Sequence, residues 1–558
     1  MRGVLSVGSM KWLVLGVFAS SGWVACGSRG GTVSDAGPPH IGSPGASLTD
    51  AGLADATLSD AGVEGAAIET ADAGGHDAAI GDGSDVDSPP AGDANAAGSP
   101  FPYGDRNIKV NEPYPASVLI QNGGRFYDVM APPTAAQYAA KGDGVTDDTP
   151  AIQDAFDYLK SAYVVANPTG SATEGYDGSN YWVYLPNGTY RVTSTLTYRG
   201  PDLVTSTFAS DLVRIRIVGQ SREGTVIKLD NAVAAFGDAT QPTMLLEFQH
   251  DGTTFNNAPA DNVLTNVTLD TGSGNPGAVG LWFQGANQTS MHNVRVVSDD
   301  GSGHCGILLQ TGSVQGYYRD LTVEGFDYGI CQTNNPEFDS AFEHVTLRGQ
   351  KIAGVLAQGG GISLRGLEID ESKTTAEGLR IEKTGAVVFL DDSSLSGAQD
   401  ASAIDRTDTS QQALFVRNVV TTYGTSLVQA GQAVDAGPAI AWFASAPPVV
   451  LLNRGSAPAS LGLPVEDTPL PDWFDPATDW ADVDTFGAKG DGTTDDSAAI
   501  QQAMSSGKPV VVFPKTSYQW KTTIKVPATV MRVDFMFADV SGGLSVAEAS
   551  TRPLRLGL

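Results

Sequence analysis

The sequence has few cysteines and few positive charges. Its 558 residues include 3 Cys, and 33 Lys and Arg residues stand against 63 Asp and Glu residues, giving a formal net charge of −30. Three cysteines cannot form a disulfide framework in so long a chain, and no cluster has the spacing of zinc or iron–sulfur ligands. Nucleic acid would be repelled by this charge. We therefore expect no nucleic-acid partner, no metal and no cofactor, and a fold that is stabilised by packing.

An apolar run near the N-terminus is too short for a transmembrane helix. It spans residues 12–19, follows Arg2 and Lys11, and leads through small residues to Cys26. This order is typical of an export signal. The end of the segment resembles the lipobox of bacterial lipoproteins, and this resemblance implies that Cys26 is lipidated.

We therefore predict a signal peptide and lipobox over residues 1–26, with the true start at Met1 or Met10. The protein would then be exported, either as a bacterial lipoprotein on the cell surface or outer membrane or as a secreted protein. Simple cleavage and an uncleaved anchor remain alternatives to lipidation. Membrane contact is expected only through the N-terminal lipid anchor, and the oligomeric state stays open.

Residues 27–102 form a segment rich in Gly, Ala, Ser, Asp and Pro. The unit Ser34-Asp35-Ala36-Gly37 recurs there with small changes, and residues 30–105 contain no Lys or Arg. Such a composition buries too little apolar surface to offset the entropy lost on ordering. We predict a disordered, acidic tether.

A sixteen-residue opening occurs twice in the chain. Residues 140–155 (AKGDGVTDDTPAIQDA) and 488–503 (AKGDGTTDDSAAIQQA) are identical at twelve of the sixteen positions. Each copy then leads to a Pro and a Tyr, the latter at Tyr190 and Tyr518. The chain therefore begins the same kind of domain twice.

The second half of the opening predicts a short helix. Thr149 or Ser497 can cap it, and Asp148 would then lie near its positive end. Apolar residues follow at helical spacing, namely Ile152, Ala155, Phe156 and Leu159. The glycines suggest a phosphate loop, but its Lys-Ser/Thr pair is missing. We predict that the carboxylates of the opening are structural rather than catalytic.

A shorter period of 22 to 27 residues runs between residues 213 and 428. Five segments superimpose, centred on Val267, Val294, Leu321, Val345 and Leu367. Companion strands begin at Gly280, Gly306, Gly329, Gly354 and Gly378. Two short alternating strands per repeat, with Gly and Asn at the bends, are typical of the coils of a parallel β-helix.

Together these motifs resemble the pectate-lyase-like right-handed β-helix superfamily, and the two openings resemble the tandem β-helix exo-β-1,3-glucanase (laminarinase) family. Residues 281–294 are similar to a Trp-Gln…Gln-x-Thr-Ser stretch of that family. The resemblance implies an all-β fold, a right-handed parallel β-helix (solenoid) with a short N-terminal capping helix, plus the start of a second β-helix. The implied domains are a β-helix over 103–434, a Pro-rich linker over 435–480 and a partial second β-helix over 481–558.

The resemblance also implies a carbohydrate-active protein, most simply a glycoside hydrolase that uses paired carboxylates on a polysaccharide such as β-1,3-glucan. In the resembled family the general acid lies in the second β-helix, and about seventy residues remain in this chain from the start of the second opening. A non-catalytic glycan-binding or structural surface protein therefore stays open as an alternative, and a polysaccharide lyase is the third hypothesis.

Stacking the five segments in phase places charged side chains in one outward column. Its members, about 4.8 Å apart, are Asp270, Val297, Glu324, Arg348 and Asp370. Glu324 and Asp370 would then lie about 9.6 Å apart, near the upper end of the separation in inverting glycosidases. We take these two as the candidate catalytic pair, with Arg348 between them. A charge-compensated surface ladder is the alternative.

A second column carries mostly amide side chains beside an outward tryptophan. Its members are Gln284, Gln310, Thr333, Gln358 and Glu382. Because amides can hydrogen-bond to sugar hydroxyls and an indole can stack on a sugar ring, the candidate substrate-binding residues are Trp282, Gln284, Gln310, Arg348 and Gln358. A structural Gln ladder is the alternative. The next catalytic candidates, should the first pair fail, are Glu337, Asp339 and Glu343.

The same register predicts free thiols. Cys305 precedes Gly306 by one residue and Cys331 follows Gly329 by two, so the cysteines are offset by three residues on neighbouring coils. Their Cα atoms should be on the order of 11 Å apart, which is beyond the reach of a disulfide.

Overall fold

The computed structural model describes part of the chain. The described residues are 5–7, 114–134, 138–166, 181–199, 215–249, 262–285, 289–310, 315–333, 339–383, 385–407, 412–445, 477–536, 538–546 and 554–557. Cys26 and the rest of the predicted signal, except residues 5–7, lie outside them, as do the predicted tether and most of the predicted linker. Within the described ranges, no helix has the length and apolar character needed to span a membrane.

Strands make up most of the first solenoid. In chain order they are β2 (Phe126–Asp128), β3 (Asp143–Asp147), β4 (Trp182–Leu185), β5 (Gly188–Val192), β6 (Leu196–Arg199), β7 (Arg216–Gly219), β8 (Thr225–Leu229), β9 (Thr243–Gln249), β10 (Val263–Asp270), β11 (Ala278–Phe283), β12 (Ser290–Val297), β13 (Cys305–Gln310), β14 (Gly316–Glu324), β15 (Tyr328–Thr333), β16 (Ser340–Arg348), β17 (Ala353–Ala357), β18 (Gly361–Asp370), β19 (Glu377–Ile381), β20 (Val387–Ser396), β21 (Ser402–Arg406), β22 (Ala413–Thr421), β23 (Thr425–Gln429), β24 (Gln432–Asp435) and β25 (Ala439–Ala444). A strand labelled β1 (Leu5–Val7) precedes them.

Except for β24 and β25, which pair antiparallel with β23 and β22, these strands stack in parallel into three sheets. Sheet A contains β2, β4 and β7 and continues through the first halves of the seven long strands β10, β12, β14, β16, β18, β20 and β22. Sheet B contains β3, β5 and β8 and continues through the second halves of the same long strands. Sheet C runs through β6, β9, β11, β13, β15, β17, β19, β21 and β23. About nine coils enclose one apolar core, which confirms the predicted parallel β-helix.

A left-handed residue marks the corner between sheets A and B in every long strand. The corner residues are Asn266, Asn293, Asp320, His344, Gly366, Asp392 and Asn418. Asn and Asp tolerate this conformation better than most residues with a side chain. The Asn293 amide also donates to the Asn266 side chain at 2.8 Å. Because the corner recurs at one position of each coil, equivalent side chains stay in register along the whole solenoid.

The repeated opening forms a loop and a helix that cap the solenoid. Helix α1 (Thr149–Ala166) follows Asp148, whose carbonyl accepts the first helical hydrogen bond from Ile152. The cap is therefore Asp148 rather than the expected Thr149. The buried Asp148 carboxylate accepts from the backbone N–H groups of Lys141 and Gly142 at 2.7 and 2.9 Å. This carboxylate holds the glycine loop closed, which agrees with its predicted structural role.

The second copy of the opening begins another, shorter solenoid. Its elements are β26 (Trp480–Asp482), β27 (Asp491–Asp495), α2 (Ser497–Met504), β28 (Val510–Val512), β29 (Ser517–Gln519), β30 (Ile524–Val526), β31 (Arg532–Asp534), β32 (Asp539–Val546) and β33 (Arg555–Gly557). Asp496 accepts from the N–H groups of Lys489 and Gly490, as Asp148 does in the first copy. Strand β1 pairs antiparallel with β32.

The second solenoid covers the outer face of sheet A at its first coils. An apolar cluster joins Val118, Phe126, Tyr184 and Val218 of the first solenoid to Val510, Val512 and Met536 of the second. The Arg125 guanidinium adds a hydrogen bond to the Lys515 carbonyl at 3.3 Å. The second solenoid therefore covers sheet A at the end formed by its first coils.

A column of glycines bends the strands of sheet C. A Cβ on Gly306 would lie 2.9 Å from the Gly329 carbonyl oxygen, and Gly280, Gly329, Gly354 and Gly378 have the same close contact with the next coil. Cys305 and Leu308 share one outer cluster, whereas Ile307 belongs to the core. Residues three apart on a straight strand point to opposite faces, so the chain bends at Gly306.

This bend overturns the prediction that the cysteines are free. Cys305 and Cys331 form a disulfide, and their Cα atoms are 6.4 Å apart instead of about 11 Å. The register itself is as predicted, because Ile307 pairs with Ile330 and so aligns the glycines of the two strands. The prediction was wrong because it took each residue before its glycine to continue a straight strand.

Candidate functional site

The first predicted column exists on the outer face of sheet B. Val297 pairs with Glu324, Glu324 with Arg348 and Arg348 with Asp370. The Glu324 carboxylate accepts from Arg295, whose Nε lies 2.9 Å away, and the Arg348 guanidinium approaches it to 3.7 Å. Asp370 accepts from the Ser372 hydroxyl at 2.6 Å. The candidate pair Glu324 and Asp370 thus lies two rungs apart in one charged column, on either side of Arg348.

The second predicted column lies on the outer face of sheet C. Gln310 pairs with Thr333, and the Gln358 amide donates to the Glu382 carboxylate at 2.8 Å. Lys383 donates to the Gln358 carbonyl oxygen at 3.0 Å. Gln284 lies at the start of this column, where its backbone carbonyl accepts from the Asn262 side chain.

The predicted Trp282 is on the same sheet but is largely enclosed. It packs beside Leu308 and the Cys305–Cys331 disulfide on the outer side of sheet C. Its Nε1 is buried and has no hydrogen-bond acceptor within the described ranges. The predicted Arg348 is on sheet B and contacts Glu324. The predicted substrate-binding residues are therefore divided between two faces.

Sheet C also carries a carboxylate cluster that the sequence did not reveal. Arg380 donates to both oxygens of Glu377, at 2.7 and 3.1 Å, and its guanidinium is 3.8 Å from Glu382. Arg380 pairs with Asp405 on the next coil. These partly exposed side chains lie next to the predicted Gln358, because Glu382 contacts both Gln358 and Arg380.

The glycine bend brings two of these carboxylates together. Glu377 directly precedes Gly378, as Cys305 directly precedes Gly306. Cys331 pairs with the residue three after Cys305, and Asp405 pairs with the residue three after Glu377. Glu377 and Asp405 are therefore related across two coils in the same way as Cys305 and Cys331. At Cys305 and Cys331 the equivalent diagonal is short enough for a disulfide. Glu377 and Asp405 are therefore diagonal neighbours on adjacent coils.

The environment of Asp405 raises the pKa of its carboxyl group. Partial burial raises the pKa of Asp405, and the carboxylates of Glu377 and Glu382 raise it further, while Arg380 opposes them. Burial also raises the pKa of Tyr328, which lies two coils before Glu377 in the same column. Asp405, a carboxyl group with a raised pKa, thus lies beside Glu377, a carboxylate that arginine binds. In such a pair the first group can act as the acid and the second as the nucleophile.

One sequence signal pointed to this cluster. The residue directly before each companion glycine belongs to one outer column, and the second residue after that glycine belongs to another. At Gly378 these two residues are Glu377 and Arg380. Recognising Asp405 as their partner requires the bend, which sequence spacing does not show.

Of the reserve candidates, Glu343 lies in strand β16 on sheet A and Asp339 directly precedes that strand. Glu337 lies outside the described residues. Glu343 accepts from the Tyr317 hydroxyl at 2.6 Å and lies 3.3 Å from the Arg365 guanidinium. Asp339 is exposed, and its carboxylate occupies the space where a Cβ on Gly361 would lie. Within the described ranges, no group of three or more His, Cys, Asp or Glu side chains is arranged to hold a metal ion.

Three known proteins are similar to parts of this chain. A glucan 1,3-beta-glucosidase of Cochliobolus carbonum is 25% identical over 471 residues, which cover 75% of this chain and 54% of the relative. The chain thus spans about half the length of that curated relative. The mannuronan C-5 epimerase AlgE6 A-module of Azotobacter vinelandii is 15% identical with a TM-score of 0.26, over 55% of this chain and 97% of that one. A carrot pectin methylesterase is 14% identical with a TM-score of 0.27, over 50% and 80%.

A family match covers just over half of the chain. It extends over residues 135–377 and 480–531, so its second part contains the second copy of the repeated opening. This match confirms the predicted superfamily. The chain belongs to the rhamnogalacturonase A/epimerase, pectate lyase-like family.

Proposed function

We propose that this protein is a glycoside hydrolase that cleaves a polysaccharide, with β-1,3-glucan as the first candidate substrate. The observation that carries the proposal is the diagonal pair Glu377 and Asp405 on sheet C, joined through Arg380. The family and the glucosidase relative support the carbohydrate class. The neighbouring Gln358 supplies an amide for sugar hydroxyls.

The proposed reaction uses the two carboxyl groups in different roles. Asp405 donates its proton to the glycosidic oxygen as the bond to the leaving sugar breaks, and Glu377 attacks the anomeric carbon. Water then attacks the glycosyl-enzyme, gives its proton to Asp405 and releases Glu377. Arg380 orients the Glu377 carboxylate through its two hydrogen bonds.

The spacing of the pair favours retention of anomeric configuration. Retaining glycosidases hold their carboxyl groups about 5–5.5 Å apart, and inverting enzymes hold them about 6.5–9.5 Å apart. Glu377 and Asp405 lie on adjacent coils, which stack about 4.8 Å apart, and this suits the closer arrangement. Glu324 and Asp370, two rungs apart at about 9.6 Å, would instead suit inversion.

Product release from a panel of polysaccharides tests the proposal. We expect reducing sugars from laminarin, and pectin and alginate serve as acidic comparison substrates. An unsaturated, ultraviolet-absorbing product would instead indicate a lyase. If none of the three substrates yields product, the hydrolase proposal fails and the non-catalytic glycan-binding alternative is favoured.

The pH dependence of activity should respond to Glu382. This carboxylate raises the pKa of Asp405, so Glu382→Gln should lower that pKa and let the acid lose its proton at a lower pH. The alkaline limb of the kcat/KM profile should therefore move to lower pH, while the acidic limb stays in place. An alkaline limb that stays in place or moves upward would contradict the assignment of Asp405 as the acid.

We also propose that the enzyme is an exported lipoprotein attached through Cys26. The signal-like segment and the acidic stretch over 27–102 support this attachment. The substitution Cys26→Ala should release the protein from membranes without unfolding the solenoids. Membrane fractionation with a circular dichroism control measures both. Full retention of Cys26→Ala in membranes would point to an uncleaved apolar anchor.

A further inference from the structure

The outer face of sheet A changes character along the solenoid. At the first coils, one outward column presents Tyr184 and Val218, which the second solenoid buries. On later coils the same column contains His292, Arg319, Glu343, Arg365, Asp391 and Arg417. The apolar covered end thus gives way to a charged stretch on the same continuous face. A charged face suits a hydrated ligand better than another apolar protein surface.

The neighbouring column has two small side chains between aromatic ones. Its order along the coils is Tyr317, Ala341, Ser363, Phe389 and Phe415. Tyr317 is 36% exposed and Phe389 45% exposed. Phe389 and Phe415 stack with ring centroids 4.9 Å apart and an interplanar angle of 10°. One face of this stack therefore points back toward the exposed Ser363.

Two small residues leave a notch between the aromatic side chains. Tyr317 and Phe389 are three rungs apart, about 14 Å between Cα atoms, and Ala341 and Ser363 form the floor between them. We call this space the sheet A notch. It has aromatic walls at both ends and no bulky side chain on its floor.

Carboxylates border the notch on its two long sides. Glu343 lies on one side, fixed by the Tyr317 hydroxyl and by Arg365. Asp339 lies on the other side, with its carboxylate over Gly361. Farther along, Arg417 binds Asp391 through two hydrogen bonds of 2.7 Å. Carboxylate oxygens accept from sugar hydroxyls, and aromatic faces pack on the apolar faces of a pyranose ring.

The charge of the surface selects the kind of glycan. Two arginines of this stretch, Arg365 and Arg417, are already engaged with Glu343 and Asp391. The whole chain has a formal net charge of −30. A polyuronate would therefore be repelled, whereas an uncharged polysaccharide carries no such penalty.

We propose that the sheet A notch is a second glycan-binding site, which holds an uncharged polysaccharide apart from the Glu377 and Asp405 pair on sheet C. The inference rests on the carbohydrate class of the proposed function but not on its catalytic residues. The notch would keep the chain of an insoluble substrate on the enzyme while the sheet C pair cleaves it.

Binding to insoluble β-1,3-glucan tests the notch without any turnover. The Glu377→Gln protein is the starting point, and Phe389→Ala removes one wall while Ser363→Trp fills the floor. Each should weaken binding in a pull-down titration at least about tenfold. Tyr138→Ala, which removes an aromatic side chain that is 66% exposed elsewhere, is the matched control and should bind as before. Polygalacturonate should not bind to any of these proteins.

Three results would overturn the notch proposal. The first is unchanged binding in both notch variants, and the second is no binding of the starting protein to any neutral glucan. The third is a starting protein that self-associates in sedimentation analysis and becomes a monomer when it carries Phe389→Ala. The last would make the face a protein interface. Because this titration measures binding and the polysaccharide panel measures product, failure of the notch and failure of the hydrolase proposal can be told apart.

Discussion

Glu377→Gln and Asp405→Asn should each lower kcat at least about a hundredfold on the polysaccharide that the unmodified protein cleaves. Glu377→Gln removes the nucleophile and Asp405→Asn removes the proton donor, while both keep the size of the side chain. The two residues are partly exposed, so the melting temperature should change little. Steady-state kinetics and thermal unfolding of the same preparations measure the two effects.

The same type of substitution at Glu324 and Asp370 decides between the two carboxylate pairs. If these two form the surface ladder, Glu324→Gln and Asp370→Asn should remain active and shift stability by no more than about 1 kcal/mol. We expect this outcome, since Arg295 and Arg348 already engage Glu324. A hundredfold loss at both positions, with activity retained in Glu377→Gln, would move the catalytic site to sheet B.

Loss of the disulfide should have the largest effect on stability. Cys305→Ala with Cys331→Ala opens a link between residues 26 apart in sequence, and loop-closure entropy assigns such a link about 3 kcal/mol. Both cysteines are fully buried beside Leu308 and Trp282, so the alanines also leave unfilled space. Urea unfolding of the first solenoid should therefore show a clearly lower midpoint.

Peptide mapping under non-reducing conditions is the control for that result. It should yield one linked pair of peptides that contain Cys305 and Cys331. Two unlinked peptides, together with an unchanged urea midpoint in the double variant, would contradict the disulfide and the short diagonal at Gly306. The diagonal that joins Glu377 to Asp405 would then be lost as well.

The coil register could be predicted because its signals repeat. Each coil supplies its own copy of the apolar alternation and of the corner residue, so one alignment placed Glu324, Arg348 and Asp370 in their observed column. The repeated opening likewise predicted two helices, and the structure forms both, with Asp148 and Asp496 as caps instead of the expected Thr149 and Ser497. Repetition turns a weak local pattern into a reliable one.

The path of sheet C could not be predicted from the same alignment. The companion glycines are visible in the sequence, but the contact of each with the carbonyl of the next coil is not. That contact bends the strand and shortens one diagonal to 6.4 Å. The error at Cys305 and Cys331 and the failure to recognise Glu377 and Asp405 therefore have one physical cause.

The anomeric configuration of the first product tests the central claim most directly. Proton NMR during hydrolysis by the unmodified protein shows whether the new reducing end has the configuration of the bond that was cleaved. A closely spaced pair formed by Glu377 and Asp405 predicts retention. An inverted first product would contradict that pair, because inversion requires room for a water molecule between the carboxylates and the sugar.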